Sequence, residues 1–379
     1  MGAPSLSVVV AVHAGEEVLP RALAALAASD LPRREWELVV VDDASLDASA
    51  AVAARWADVV VRLPGNPRGP AYARNRGAEV ARGDLLVFVD ADVCVHPDVL
   101  GRFARLFADD PGLSAAFGSY DDDPAARGWV SQFRNLLHHY VHQKSGGSAE
   151  TFWSGCGAIR RAALLDAGMF DEWSYSRPQV EDIEVGRRLR GMGHRIELHP
   201  EIQCTHLKRW TLRGMVATDF TSRGVPWMRM LLQEGAVSEF EALNLRPRER
   251  LSALLAILTV VALVAAGELL SLTSLAVAGL AAAGIVALNH GFYGYLLRLR
   301  GPGFLLAAVP LHLLYYLTAA VAAGVGYVTH ALVGAPAAPP EVEAQHALGI
   351  DTWPPCPRRP AEGLWSAVPR TRTAPAREP

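Results

Sequence analysis

The chain is poor in cysteine, with only Cys94, Cys156, Cys204 and Cys356. No two of them have the spacing of zinc ligands and nothing in their placement suggests a disulfide framework, so a reduced setting is expected. A basic segment ahead of the first apolar run is missing, and residues 6–12 therefore do not read as a signal peptide. No strand-like run is followed by GxGxxG, which excludes the dinucleotide fingerprint. There is no internal repeat. Excess charge of one sign is absent too: 36 Lys and Arg face 39 Asp and Glu, a net charge of −3, which argues against a nucleic-acid binder. Charge is also missing locally. Between Leu251 and Leu297 the only formal charge is Glu268, and residues 301–340 carry none.

What is present before residue 250 has the pattern of a soluble α/β domain. Residues 6–12 (LSVVVAV), 37–41 (ELVVV), 59–63 and 84–89 (DLLVFV) are short, β-branched or fully apolar runs. They alternate with helical patterns over 16–29, 47–56, 68–81 and about 97–108. Continuous apolar strands alternating with helices imply a parallel sheet covered on both faces. A further helix is expected over about 179–192, after a less regular stretch that holds the small residues Ser154 to Gly157. A basic, tryptophan-bearing stretch follows from His206 to Trp227.

The C-terminal part differs in kind. Residues 251–270, 273–296 and 304–328 are each long and apolar enough for a bilayer, which takes about 20 residues. Arg246, Arg248 and Arg250 precede the first run, and Arg298 and Arg300 separate the second from the third. That asymmetry puts the N-terminal domain on the cytosolic side of a cytoplasmic membrane. Three spans would leave the tail outside, although it carries Arg358, Arg359, Arg370, Arg372 and Arg377. The expected organisation is a catalytic domain at 1–235, a basic juxtamembrane linker at 236–250, a transmembrane region of about three helices at 251–330, and a Pro-rich, unstructured tail at 331–379.

In an open parallel sheet, ligands bind beyond the carboxyl ends of the strands. Here those ends are acidic at Asp42-Asp43 and at Asp90-Ala91-Asp92. Paired aspartates at strand ends also occur in response-regulator receiver domains. The second group is more specific, because residues i and i+2 of an extended chain project to one side. Asp90 and Asp92 could then converge on one Mg2+ or Mn2+, completed by substrate phosphates.

These motifs, taken in order, resemble the catalytic domain of a family-2 glycosyltransferase. The residues that carry the resemblance are Val10 to His13, VDDAS at Val41 to Ser45, GPAYARNRG at Gly69 to Gly77 and FVDADV at Phe88 to Val93. FWSGCGAIRR at Phe152 to Arg161, VEDIEVGRRL at Val180 to Leu189 and HLKRW at His206 to Trp210 complete the set. The resemblance covers residues 6 to about 230. It implies a GT-A-type α/β fold, with a mixed, mostly parallel sheet, helices on both faces and a Rossmann-like nucleotide-binding half.

It also implies roles. Val12 and His13 would border the nucleobase of a nucleotide-sugar donor and Asp42 would bond its edge. Arg74 and Asn75 would approach the donor sugar or diphosphate; an exposed helix face is the alternative. Asp90 would lie near the ribose and Asp92 would bind the metal, with His206 as a candidate further ligand. Asp182 is the candidate base that deprotonates the acceptor hydroxyl, and Glu181 its neighbour or substitute. Acidic residues there also suit a helix start. Trp153 would stack on a sugar or sit in the core, and Gly155 would allow close approach. Arg209 would clamp the leaving diphosphate and Trp210 line the acceptor site; Lys208, Arg209 and Arg213 also suit an interfacial helix on anionic lipid.

The reading is an inverting, metal-dependent glycosyltransferase, anchored in the membrane and acting on a lipid or lipid-linked glycan. Where the family has QxxRW this chain has His206, and its spans are few, which puts processive polysaccharide synthesis in doubt. A sugar nucleotidyltransferase would show a Gly-rich, basic loop after the first strand, where this chain has Ala14-Gly15-Glu16-Glu17. A non-catalytic membrane scaffold is the third alternative.

Overall fold

A computed structural model describes residues 5–235 and 246–334, and the backbone of 366–369. Along the chain the elements are β1 (Leu6–Val12), α1 (Leu19–Ala27), β2 (Trp36–Asp42), α2 (Ser49–Ala53), β3 (Val59–Arg62), α3 (Pro70–Val80) and β4 (Leu85–Val89). Then come β5 (Val93–Val95), α4 (Val99–Asp109), β6 (Leu113–Tyr120), α5 (Trp129–Gln143), β7 (Gly147–Ser148), β8 (Cys156–Arg160), α6 (Arg161–Asp166), α7 (Glu181–Gly191) and β9 (Arg195–His206). The helices α8 (Leu212–Ala217), α9 (Val225–Gln233), α10 (Pro247–Leu269), α11 (Leu272–Leu288) and α12 (His290–Val333) follow, with a π-helical stretch Thr218–Gly224 between α8 and α9. A short strand, β10 (Ser366–Pro369), runs antiparallel to β3. The linker expected at 236–250 falls outside the described residues as far as 245. So does the expected tail beyond Gly334, β10 apart.

The chain divides into two compact units. The first holds residues 1–119, 147–207 and 338–379; the second holds 120–146 and 208–337. Two stretches of residues 1–235, 120–146 and 208–235, fall in the second unit. The reason lies in α5 and the segment after β9. Phe133, Leu136 and Leu137 of α5, with Trp210 and Met215, are buried in one cluster with Phe292, Leu296 and Phe304 of α12.

In the first unit the sheet order is β10-β3-β2-β1-β4-β8-β6-β9-β5, with β7 beside β9. β3, β2, β1 and β4 are parallel, whereas β8 is antiparallel to β4 and β6. This is the expected mixed, mostly parallel α/β sheet in its nucleotide-binding half. Every residue of β2 and β4 is buried, as a sheet covered on both faces requires. The strand order reverses between β2-β1 and β1-β4, and a ligand site is expected beyond the carboxyl ends at such a switch point. Val12, Asp42 and Val89 close those three strands.

In the second unit α10 and α11 form a hairpin that turns at Leu270, a non-glycine residue with φ 47°. α12 is broken at Gly301, where φ is 81° and ψ 177°, a conformation open to glycine and strained for other residues. Its two arms fold back on each other: Tyr293 Oη lies 3.0 Å from His312 Nδ1, and Tyr316 donates to Asn289 Oδ1 at 2.9 Å. The second expected span is thus corrected. Its helix stops at Leu288 after 17 residues, because Asn289 leaves helical geometry and donates to Ser252 Oγ and to the Ile285 carbonyl. Residues 290–300 belong to the arm before Gly301. Two described helices, α10 with 23 residues and α12 with 44, are long and apolar enough to be candidate membrane spans.

Candidate active site

The site of the first unit is built at the carboxyl ends of β1, β2 and β4. After β1 the chain enters a turn in which Ala14 has φ 50°. His13 is exposed, and its Nδ1 donates to the Asp43 carbonyl at 2.7 Å. Val12 is 3% exposed. Asp42 is buried at 2% exposed and accepts from the Ser45 N–H at 3.2 Å, so its Oδ1 shapes its own loop. Asp43 accepts from the N–H groups of Arg68 and Gly69 at 2.8 to 3.0 Å. That second aspartate of VDDAS ties down the loop before α3, a role the sequence reading did not assign.

The premise for Asp90 and Asp92 needs correction. β4 ends at Val89, and the Val93 N–H donates to the Asp90 carbonyl at 3.0 Å, closing a turn. The alternation of an extended strand does not apply within a turn. The two carboxylates have different partners: Asp90 Oδ1 accepts from Arg74 Nη2 at 2.9 Å, whereas Asp92 Oδ2 lies 3.5 Å from His206 Nε2. Asp92 is brought to His206 because β5 and β9 are antiparallel neighbours with Val93 opposite His206. Among the described residues no group of three or more His, Cys, Asp or Glu side chains could hold a metal ion.

Neither Arg74 nor Asn75 lies on an exposed helix face; they are 6% and 1% exposed. Asn75 is engaged by the segment Phe170 to Glu172. Its amide donates to the Phe170 carbonyl at 2.9 Å and to Glu172 at 2.8 Å, and its Oδ1 accepts from the Phe170 N–H at 3.0 Å. Arg74 spans two carboxylates, Asp90 and Glu181, each at 2.9 Å. Burial works against its charge, but Asp90, Glu181 and Asp182 outweigh that and raise its pKa.

Glu181 and Asp182 open α7. Glu181 is 4% exposed, and both its oxygens are engaged, one by Arg74 and one by the Gln179 N–H at 2.8 Å. Asp182 is half-buried. Its Oδ2 accepts from the N–H and hydroxyl of Ser154 at 3.2 and 3.3 Å, and its Oδ1 from the Ile183 N–H at 2.8 Å. Burial, then the charge of Glu181, push its pKa up to about 7, against the lowering effect of Arg74 and the Ser154 N–H. Ser154 was read only as a small residue; its grip on Asp182 spans 28 residues of sequence. Trp153 is half-buried, packs on the core of the sheet, and its indole lies against Gly155, where a Cβ would stand 2.5 Å from the ring. The Gly155 carbonyl accepts from the Asp90 N–H at 3.2 Å.

Arg209 and Trp210 belong to the second unit. Arg209 is exposed. Trp210 is 9% exposed, its backbone N–H donates to the Ser131 hydroxyl and its carbonyl accepts from it, and Lys208 Nζ lies 4.2 Å from its ring centre.

Residues 7–168 match the model of glycosyl transferase family 2. The succinoglycan biosynthesis protein ExoO of Rhizobium meliloti is 38% identical over 121 residues, 31% of this chain and 34% of that protein. The undecaprenyl-phosphate 4-deoxy-4-formamido-L-arabinose transferase of Pseudomonas fluorescens is 30% identical over 168 residues, 43% of this chain and 48% of that protein. The chain spans less than two thirds of such relatives, from 16% in a Bacillus spizizenii poly(ribitol-phosphate) beta-glucosyltransferase to 50% in a putative Bacillus subtilis glycosyltransferase. Among solved structures, a mannosyltransferase from Pyrobaculum calidifontis in complex with GDP-Man and Mn2+ superposes with a TM-score of 0.50. It is 21% identical and covers 87% of this chain and 88% of its own, a likeness that speaks for the GT-A fold. The parallel strands, their acidic carboxyl ends and the antiparallel β8 all fall within residues 7–168, the segment that matches the glycosyl transferase family 2 model.

Proposed function

We propose that the chain is an inverting glycosyltransferase anchored in a membrane, which moves a sugar from a nucleotide-diphosphate-sugar donor to a hydroxyl of a membrane lipid or lipid-linked glycan. The observation that carries the reading is Asp182. It is a half-buried carboxylate on a helix start, held by Ser154 and raised to about 7. A base with a pKa near the working pH both accepts a proton and is ionised often enough to do so. We assign that role to Asp182 rather than Glu181, because Glu181 is 4% exposed and is ion-paired with Arg74, whereas the partners of Asp182 are a hydroxyl and backbone N–H groups.

The donor is assigned to the ends of β1, β2 and β4, with the base at Val12 and His13 and the ribose toward Asp90. Asp92 and His206 offer one carboxylate and one imidazole 3.5 Å apart. Two protein ligands fit Mg2+ or Mn2+, whose remaining positions fall to phosphate oxygens and water. Bound there, such an ion would offset the charge of the departing diphosphate. Trp153, half-buried beside Gly155, is assigned to stacking on a sugar ring. Asp182 takes the proton of the acceptor hydroxyl as that oxygen attacks the anomeric carbon, in a single displacement without a covalent intermediate.

The membrane assignment rests on α10 and α12. Large apolar side chains stand exposed along these helices and α11, among them Leu254 at 64%, Leu280 at 74%, Leu306 at 76% and Leu332 at 80%. At about 1.5 Å per residue, the 23 residues of α10 reach about 34 Å, against an apolar bilayer core of about 30 Å. The arginines beside α10 and in α12 favour a cytosolic catalytic domain. A lipid-borne acceptor gives such anchoring a purpose.

A panel of nucleoside diphosphates, titrated into full-length protein in detergent with and without Mn2+, tests the donor assignment. One nucleotide should bind tightly only with metal, and Asp92→Asn should abolish that binding. Binding that ignores both the metal and Asp92 would overturn the reading.

A further inference from the structure

We propose that Arg74 is a positioning residue for sugar transfer, a strut that sets the donor-side carboxylate Asp90 and the helix start bearing Asp182 at a fixed separation. The inference rests on the reading of Asp182 as the base. Six links close a ring in the first unit, two of them covalent bonds between sequence neighbours. Arg74 Nη2 donates to Asp90 Oδ1 at 2.9 Å, and the Asp90 N–H donates to the Gly155 carbonyl at 3.2 Å. Ser154, the residue before Gly155, holds Asp182 through its N–H and hydroxyl. Asp182 is bonded in sequence to Glu181, and Glu181 Oε1 accepts from Arg74 Nη1 at 2.9 Å. The donor side and the base are thus joined twice, once through backbone and once through the guanidinium.

The rest of α3 serves the same end. Asn75 holds Phe170, Arg76 Nη2 donates to Glu172 at 3.1 Å, and Gly69, with φ +93°, lets the backbone of Ser176 approach to where a Cβ would stand 2.6 Å away. The helix therefore grips the segment that leads into α7 at several points, and Arg74 is the member that also reaches Asp90. Its planar fork spans two acceptors at once, which a lysine ammonium on a flexible stem does not reproduce. Four charged groups meet here: Asp90 from the end of β4, Glu181 and Asp182 from α7, and Arg74 from α3, one cation among three carboxylates. Arg74 lowers the pKa of Asp182 and Glu181 raises it.

The test compares wild type, Arg74→Lys, Glu181→Gln, the double variant Arg74→Gln/Glu181→Gln and Asp182→Asn. All are full-length, in detergent, with the donor that the nucleotide panel selects, and nucleoside diphosphate release is followed against pH. A misplacement of about 1 Å costs on the order of 100-fold in rate. Arg74→Lys should therefore lose kcat by about that factor, with donor KM within about threefold of wild type and the acid limb in place. Glu181→Gln should move the acid limb to lower pH, a change that loss of packing alone does not produce. If Arg74→Lys does not fold, the double variant, which removes both members of the buried pair, supplies the kcat comparison. Wild-type kcat in the Arg74 variant that folds, or an acid limb unmoved in Glu181→Gln, overturns the proposal. Full activity in Asp182→Asn would instead overturn the assignment of the base on which it rests.

Discussion

The burial that tunes Asp182 also weighs on the folded state. Its pKa of about 7 lies above the ordinary 3.8, so the folded protein holds a proton there that the unfolded chain gives up more readily. The stability this group contributes is intact below about pH 4 and falls away as pH rises to about 7. Asp182→Asn removes the ionisation. Its melting temperature should gain on wild type between pH 5 and pH 7 and gain nothing further above that, while transfer falls by about 100- to 10,000-fold. A gap in melting temperature that is the same at pH 5 and pH 8 would rule out a raised pKa at this residue. The acidic ends of β2 and β4 were legible as VDDAS and DAD, but the partners of those carboxylates were not. Asp43, Ser154 and Glu172 act on residues 25 to 97 positions away, and no local pattern records such distances.

Among the elements, α3 shows where reading by pattern stops. Helical spacing places it over 68–81, and it is observed at Pro70–Val80. Which of its residues face the ligand cannot be read from that period, because eight of its eleven residues are buried. Asn75, expected near the donor, instead satisfies both backbone groups of Phe170. Asn75→Ala leaves buried partners unpaired, each at about 1–3 kcal/mol. It should cost about 2–4 kcal/mol and a clear drop in melting midpoint, with donor affinity in the surviving folded protein close to wild type. Loss of donor affinity without loss of stability would restore the donor-contact reading. The second apolar run is the converse case: hydropathy runs on through residue 296, but Asn289 ends the helix by taking Ser252 and Tyr316 as partners.

At the scale of the whole molecule, charge is unevenly divided. Residues 120–146 and 208–337, which form the helical unit, carry thirteen Lys and Arg against nine Asp and Glu, although the chain as a whole is −3. A basic unit with outward apolar helices suits a membrane with anionic headgroups. The full chain should stay in the membrane fraction after an alkaline carbonate wash and leave it only with detergent. Release by carbonate alone would show that α10 and α12 lie against a surface rather than across it.

Sequence by itself determined the strands β1 to β4, since β-branched apolar runs have few other stable states. It determined the alternation that makes them the covered, parallel part of a mixed sheet, the acidic strand ends at its switch point, and the apolar character of residues 251–334. Tertiary structure alone decided the rest. It set Asp90 against Arg74 and Asp92 against His206, because a turn after β4 and the pairing of β5 with β9 separate two carboxylates that lie two residues apart. It engaged both oxygens of Glu181 and buried Asp182, because α7 starts against Ser154 and beneath Arg74. Protonation depends on what surrounds a carboxylate in space, and that surrounding is assembled from residues 28 to 108 positions distant in the chain.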